Sequence, residues 1–177
     1  LEAVLSGFFA SLGLARHHSV TPAMRERAQN ALALMEASPL ADKPLEEMST
    51  GEARRILIAR ALVSDPRALL LDEPTAGLDL VARHRFLETL RHVAAQGKTI
   101  LLVTHHVEEI LPEMERVILL RAGRVFRDGF RRDVLTSDTL SALYDTPLSV
   151  REQNGYYAAD VPIAPASLAK PRPAMLN

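Results

Sequence analysis

Two short apolar runs, Ala68–Leu71 and Thr99–Val103, lie on either side of a stretch with helical periodicity, Leu80–Ala95. Neither run alternates with polar residues, which is the pattern of a strand buried on both faces of a parallel sheet. A strand, a helix-length crossover and a second strand in this order form a right-handed βαβ unit in nearly every known case. This succession places the chain in the α/β class, with a parallel sheet whose carboxyl edge is the place for ligands.

The remaining segments are arranged around that unit. Leu1–Leu14 has Val4, Leu5, Phe8, Phe9 and Leu12 on one broad face, as a helix would. Thr21 and Pro22 form a helix start, with Met24, Ala28, Ala31, Leu32 and Met35 at helical spacing up to Ser38-Pro39. A third helix follows Ser49 and runs to about Val63, before the turn Ser64-Asp65-Pro66. Val117–Leu120 and Arg124–Phe126 read as a hairpin turned at Ala122-Gly123, and helical character returns over Asp138–Tyr144. The segment 158–177 contains Pro162, Pro165, Pro171 and Pro173 without periodicity and reads as a disordered tail. No internal repeat is present.

Composition excludes several classes of function. Apolar residues make up 47% of the 177 and charged residues 24%, enough for a packed core. Lys+Arg 21 against Asp+Glu 22 leaves −1, so no global basic field exists to hold nucleic acid. With no cysteine, disulfides, thiolate nucleophiles and Cys-ligated metals are absent. No apolar run reaches the roughly 20 residues of a membrane-spanning helix. The run Val4–Ala15 follows an acidic flank, Leu1-Glu2-Ala3, unlike a signal peptide.

Four short motifs carry possible chemistry. Leu69–Leu71 leads into Asp72-Glu73-Pro74, which puts two carboxylates at the carboxyl end of a strand. One could hold Mg²⁺ through its water shell while its neighbour orients an attacking water, or both could belong to an acidic turn. In Ser49-Thr50-Gly51-Glu52, Ser49 and Glu52 have capping-box spacing, and the same helix start could receive phosphate oxygens. Thr104-His105-His106 leaves the second strand at its carboxyl end, where a neutral imidazole can meet a phosphate or a water. Asp79, in Ala76-Gly77-Leu78-Asp79, could cap the following helix.

Taken in order, these motifs resemble those of the ATP-binding-cassette ATPases. Met48–Glu52 is similar to the family signature, followed by Ile58-Ala59-Arg60-Ala61-Leu62 and Asp65-Pro66. Leu69–Pro74 resembles the Walker B strand with its catalytic Glu, Ala76–Asp79 the D-loop, and Thr104-His105 the switch histidine. The resemblance covers roughly Val4–Tyr157. It implies a P-loop NTPase-like fold, truncated: a helical subdomain over 1–50, the C-terminal part of the parallel-sheet core over 51–157, and the tail. It also implies that Asp72 supports Mg²⁺, Glu73 polarises the attacking water and His105 contacts the γ-phosphate of ATP. Ser49, Thr50, Gly51 and Glu52 would meet a nucleotide held by a partner cassette, and Asp79 would couple two facing sites.

The sequence departs from the family pattern in two ways. Thr50 stands where the family has its first signature Gly, and Glu52 where it has Gln. A motif G-x-x-x-x-G-K-[ST] occurs nowhere, and Lys43, Lys98 and Lys170 all lie outside any Gly-rich loop. Phosphoryl transfer in such proteins depends on positioning by that loop. The expectation is therefore a C-terminal portion of a cassette, inactive alone and prone to aggregation through uncovered strands.

The resemblance implies the ATPase subunit of a membrane transporter, cytoplasmic and peripheral on the inner face of the membrane. Its partners would be a second ATPase domain and a transmembrane permease, with no nucleic acid. Val4–Phe9 and Val103–Glu109 resemble the molybdenum-transport branch. Two alternatives stand beside this reading. One is a soluble cassette protein acting on nucleic acid or a ribosome, for which Arg121, Arg124, Arg127, Arg131 and Arg132 are the best basic cluster, equally readable as a solvated strand face. The other is a non-catalytic module that completes a partner's ATP site.

Overall fold

The computed structural model describes residues 1–11 and 13–162, which form two compact units divided after Glu109. The expected boundary at residue 50 follows the functional parts of the family and does not coincide with this division.

In the first unit, α1 (Glu2–Leu5) passes into a 3-10 turn over Ser6–Phe9 and stops at Ala10, which is left-handed with φ 50°. The continuous helix expected over Leu1–Leu14 is therefore cut short. The cause is packing: a Cβ on Gly7 would lie 2.2 Å from the Arg60 carbonyl, so the chain at Gly7 is pressed directly onto the next helix but one. Arg60 holds it there, donating from Nε to the buried Ser6 hydroxyl at 3.1 Å and from its guanidinium to the Ser11 carbonyl at 2.8 Å.

α2 (Pro22–Leu34) starts as the sequence predicts, with the Thr21 hydroxyl accepting from the Met24 N–H at 3.2 Å. α3 (Thr50–Leu62) opens on a complete capping box and buries Ile56, Ile58, Ala59 and Leu62. Both α1 and α2 pack on α3.

β1 (Ala68–Asp72), α4 (Leu80–Ala95) and β2 (Thr99–Val103) form the expected βαβ unit, with β1 and β2 paired in parallel. Leu70 faces Leu101, and Asp72 faces Val103. The expectation of burial on both faces fails. Leu69 is covered, whereas Leu70, Leu101 and Val103 are 68%, 52% and 43% exposed. The sheet of these two strands has one covered face and one open apolar face.

In the second unit, β3 (Arg116–Arg121) and β4 (Arg124–Phe130) form the expected hairpin, with a register shift between Leu119 and Leu120. α5 (Arg131–Val134) packs on both strands, and α6 (Ser137–Tyr144) is capped by Thr136. A second hairpin, β5 (Ser149–Gln153) with β6 (Tyr156–Asp160), was not expected. Its turn is Asn154-Gly155, both at positive φ (54° and 83°), a sequence signal that was open to reading. β6 takes 158–160 out of the expected tail, and 163–177 lie outside the described residues. The arginine cluster is not one strand face either. Arg131 and Arg132 belong to α5, Arg121 pairs with Asp145, and Arg131 donates to the Gly155 carbonyl at 2.6 Å.

Candidate functional site

The carboxyl ends of β1 and β2 lie side by side, because parallel pairing brings both strands to the same edge. Asp72 is the last residue of β1 and is exposed. Glu73 then adopts the left-handed conformation with φ 45°, while its N–H still donates to the Val103 carbonyl at 2.9 Å. For a residue with a side chain this geometry costs about 1 kcal/mol or more, and such strain collects at functional positions.

The bend brings the Glu73 carboxylate to the end of β2. His105 Nδ1 stands 2.6 Å from Glu73 Oε1. The imidazole is 64% exposed. Glu73 Oε2 is buried and has no hydrogen-bond partner among the described residues, so it must be uncovered before a water or a substrate proton can reach it. Beneath this pair lies Glu109, fully buried in the 3-10 turn Val107–Glu109. It accepts from the hydroxyls of Thr75 and of Thr104, the latter at 2.6 Å. Neither Glu109 nor Thr75 was marked by sequence reasoning. Glu109 stands beside Glu108 in Val107-Glu108-Glu109-Ile110, and nothing in that spacing tells which of the two acids is buried.

A second cluster forms where α3 begins. The Ser49 hydroxyl accepts from the Glu52 N–H at 3.3 Å, and the Glu52 carboxylate accepts from the Ser49 N–H at 2.8 Å. The Lys43 ammonium adds a third donor at 2.8 Å. Lys43 first, and the Ser49 N–H second, hold the Glu52 carboxyl far below its ordinary range, at about 2. The acid that replaces the family's Gln is thus committed to the cap.

Asp79 caps α4, accepting from the Ala82 N–H at 2.8 Å. The turn before it is fastened to α3 by Arg54, which donates to the Ala76 carbonyl at 2.6 Å. Ser49, Gly51, Glu52, Leu78 and Asp79 line one groove of about 230 Å³. Thr50, exposed at the first position of α3, does not line it. The site residues therefore fall into two sets, Asp72 with Glu73 and His105, and Ser49 with Gly51, Glu52 and Asp79. The turn 73–79 joins them, with Ala76 N–H bonded to the Glu73 carbonyl and Leu78 N–H to the Thr75 carbonyl.

The donors suit Mg²⁺ bound in its usual way. Among the described residues no group of three or more His, Cys, Asp and Glu could cage a metal. One exposed carboxylate such as Asp72 fits an ion that keeps its waters and takes its other ligands from phosphate. Gripping the phosphates is a different matter. Lys43 is paired with Glu52 and Lys98 with Asp65, so both described lysines are already engaged.

A family model described as ABC transporter matches residues 4–76. An uncharacterized ABC transporter ATP-binding protein of Bacillus subtilis is 44% identical over 151 residues, which is 84% of this chain and 56% of that protein. The cobalt import ATP-binding protein CbiO of Rhodobacter capsulatus is 43% identical over 112 residues, 63% of this chain and 40% of its own length. A solved ABC transporter in an inward-facing conformation superposes with a TM-score of 0.75 at 28% identity, covering 88% of this chain and 62% of that one. The chain spans about half the length of the curated relatives it matches.

Proposed function

This chain belongs to the ATP-binding-cassette ATPases, and we propose that it forms the signature, carboxylate and switch-histidine part of a transporter's ATP-hydrolysing subunit. The observation that carries the reading is the contact between Glu73 Oε1 and His105 Nδ1, 2.6 Å, at the shared edge of two parallel strands. A general base needs an unbonded acceptor for the proton it takes, and Glu73 Oε2 is one, provided the site uncovers it to the attacking water.

Bound Mg-ATP would supply the reacting phosphoanhydride, with Asp72 as the carboxylate for the ion. Glu73 orients the attacking water and receives its proton at Oε2. His105 fixes the carboxylate from the other side and presents its second ring nitrogen to the γ-phosphate. Ser49 and Gly51 close on a nucleotide gripped elsewhere, and Asp79 reports from the groove they share.

Because the sequence contains no G-x-x-x-x-G-K-[ST] loop, the reading needs such a loop from elsewhere in the assembly to hold the phosphates. The partners are a second ATPase domain and a membrane permease, which keep the protein at the inner face of the membrane; nucleic acid is not a partner. Among the described residues no helix is long and apolar enough to cross a membrane.

The test is ATP turnover in the assembly that includes a Gly-rich lysine loop. Glu73→Gln should abolish hydrolysis and spare ATP binding, while unchanged turnover refutes the assignment of Glu73. The engaged lysines also favour a second reading, a module that completes a partner's site without hydrolysing ATP itself. In that case Glu73→Gln leaves turnover intact and Gly51→Val lowers it.

A further inference from the structure

We propose that Glu109 is the positioning residue that holds Glu73 and His105 in register, one carboxylate clasping the loop after β1 and the loop after β2 together. Its consequence for turnover rests on the hydrolytic reading above, whereas the geometric claim does not.

A fully buried carboxylate is an expensive choice where an apolar side chain would pack, and it persists when its oxygens are satisfied. Here each oxygen takes one hydroxyl, Oε1 from Thr75 and Oε2 from Thr104. Thr75 lies two residues beyond Glu73, and Thr104 immediately precedes His105. The two donors are thus the nearest hydroxyls on either side of the Glu73–His105 contact.

The Thr104 hydroxyl has a second duty. While donating to Glu109 it accepts from the His106 N–H at 3.1 Å, and the His106 carbonyl accepts from the Glu109 N–H at 3.2 Å. His105 is held between these bonds, with its backbone fixed on both sides. The loop of Glu73 is closed in the same manner, since the Thr75 carbonyl accepts from the Leu78 N–H at 3.0 Å. Arg83 on α4 brings its Nε to 3.6 Å from Glu109 Oε1 and has no hydrogen bond of its own from that atom. It supplies charge balance without competing for the hydroxyls.

Glu109 accepts one side-chain hydrogen bond from each loop, beside the Glu73–His105 contact itself. Losing either threonine contact should free one loop from the other and let the imidazole turn away from Glu73. A carboxylate that merely filled space would have no such effect.

The experiment uses the 177-residue chain with ¹⁵N-labelled histidine, following the His105 ring nitrogens by NMR in Thr75→Val, Thr104→Val, the double variant and Glu109→Gln. Valine keeps the shape of threonine and leaves Glu109 in place, so these variants disturb packing less than Glu109→Ala, which also uncovers Arg83. Thermal melts accompany each spectrum. The wild type should show a protonated Nδ1 hydrogen-bonded to Glu73. Each valine variant should lose most of that signal, and the double variant should add little, because one broken tether already opens the clasp. Glu109→Gln retains one acceptor oxygen and should be intermediate.

In the assembled ATPase, Thr75→Val should lower kcat about tenfold or more, the usual effect of removing a partner that orients a reacting group, with KM for ATP within about twofold. An unchanged His105 signal in Thr75→Val and Glu109→Gln, or losses that follow only the melting temperature, overturns the proposal. Absence of turnover in the wild-type assembly defeats the hydrolytic reading instead, and the His105 spectra still decide the clasp.

Discussion

Glu52 and Glu73 are two acids at the mouths of neighbouring elements, and the fold uses them in opposite ways. Glu52 sits at the start of α3, takes hydrogen bonds from Ser49 N–H and Lys43, and is held at about 2. All its bonds but one are made within four residues. Glu73 sits at the end of β1 in a strained backbone, meets a residue 32 positions away, and keeps one oxygen without a partner. The first carboxylate completes a structure. The second is held ready, because a group meant to receive a proton must not have its valence filled beforehand.

The largest expected effect separates the two. Glu73→Gln in the assembled ATPase should lower kcat by about 10² or more, the range of a lost general base, and leave ATP binding in place. Glu52→Gln should leave kcat within about twofold, since a carboxamide still accepts from the Ser49 N–H. Equal losses in the two variants would mean that Glu52 also meets the nucleotide.

The same division explains what was legible in the sequence. Thr21, Ser49 and Asp79 each cap a helix through contacts spanning three residues, and each was found where local chemistry put it. The βαβ unit was legible because its period and length leave little choice. Glu109 was not, since its meaning comes from Thr75, 34 residues away, and from burial that no spacing records. The open face of β1 and β2 was misread for a related reason. An uninterrupted apolar run states that a strand can be buried on both sides, while coverage depends on what packs there. Leu70, Leu101 and Val103 should drive self-association of the 177-residue chain, visible as early elution in size-exclusion chromatography. Leu70→Lys with Val103→Lys should shift it toward monomer, and a monodisperse wild-type monomer would contradict the role of this face.

Caps are worth less than catalytic bases, and two of them can be weighed against each other. Ser49→Ala and Asp79→Ala each remove one side-chain acceptor from a helix start and should each cost about 1 kcal/mol in urea unfolding. The groove also distinguishes them. If Ser49 serves only as a cap, a Ser49→Asp exchange, which caps as well, restores stability and turnover together. If its hydroxyl also meets a phosphate, stability returns and turnover does not, because a carboxylate repels the ligand.

The smallest effect is a slope in acid. The Glu52 carboxyl has an ordinary value of 4.5 and is held at about 2 in the fold, Lys43 being the larger cause and the Ser49 N–H the next. Its folded value is depressed, so the unfolded chain takes up the proton first. The contribution is complete above about pH 4.5 and disappears as pH falls toward about 2. Urea midpoints measured across that window should fall more steeply in the wild type than in Glu52→Gln, which has no proton to bind there. The half-buried Lys43 portion should shrink in high salt and the Ser49 portion should not, since screening acts on separated charges more than on a backbone hydrogen bond. Identical acid slopes in the two proteins would show that Glu52 is no better bonded in the fold than in the unfolded chain, and the contrast with Glu73 would then lose its first half.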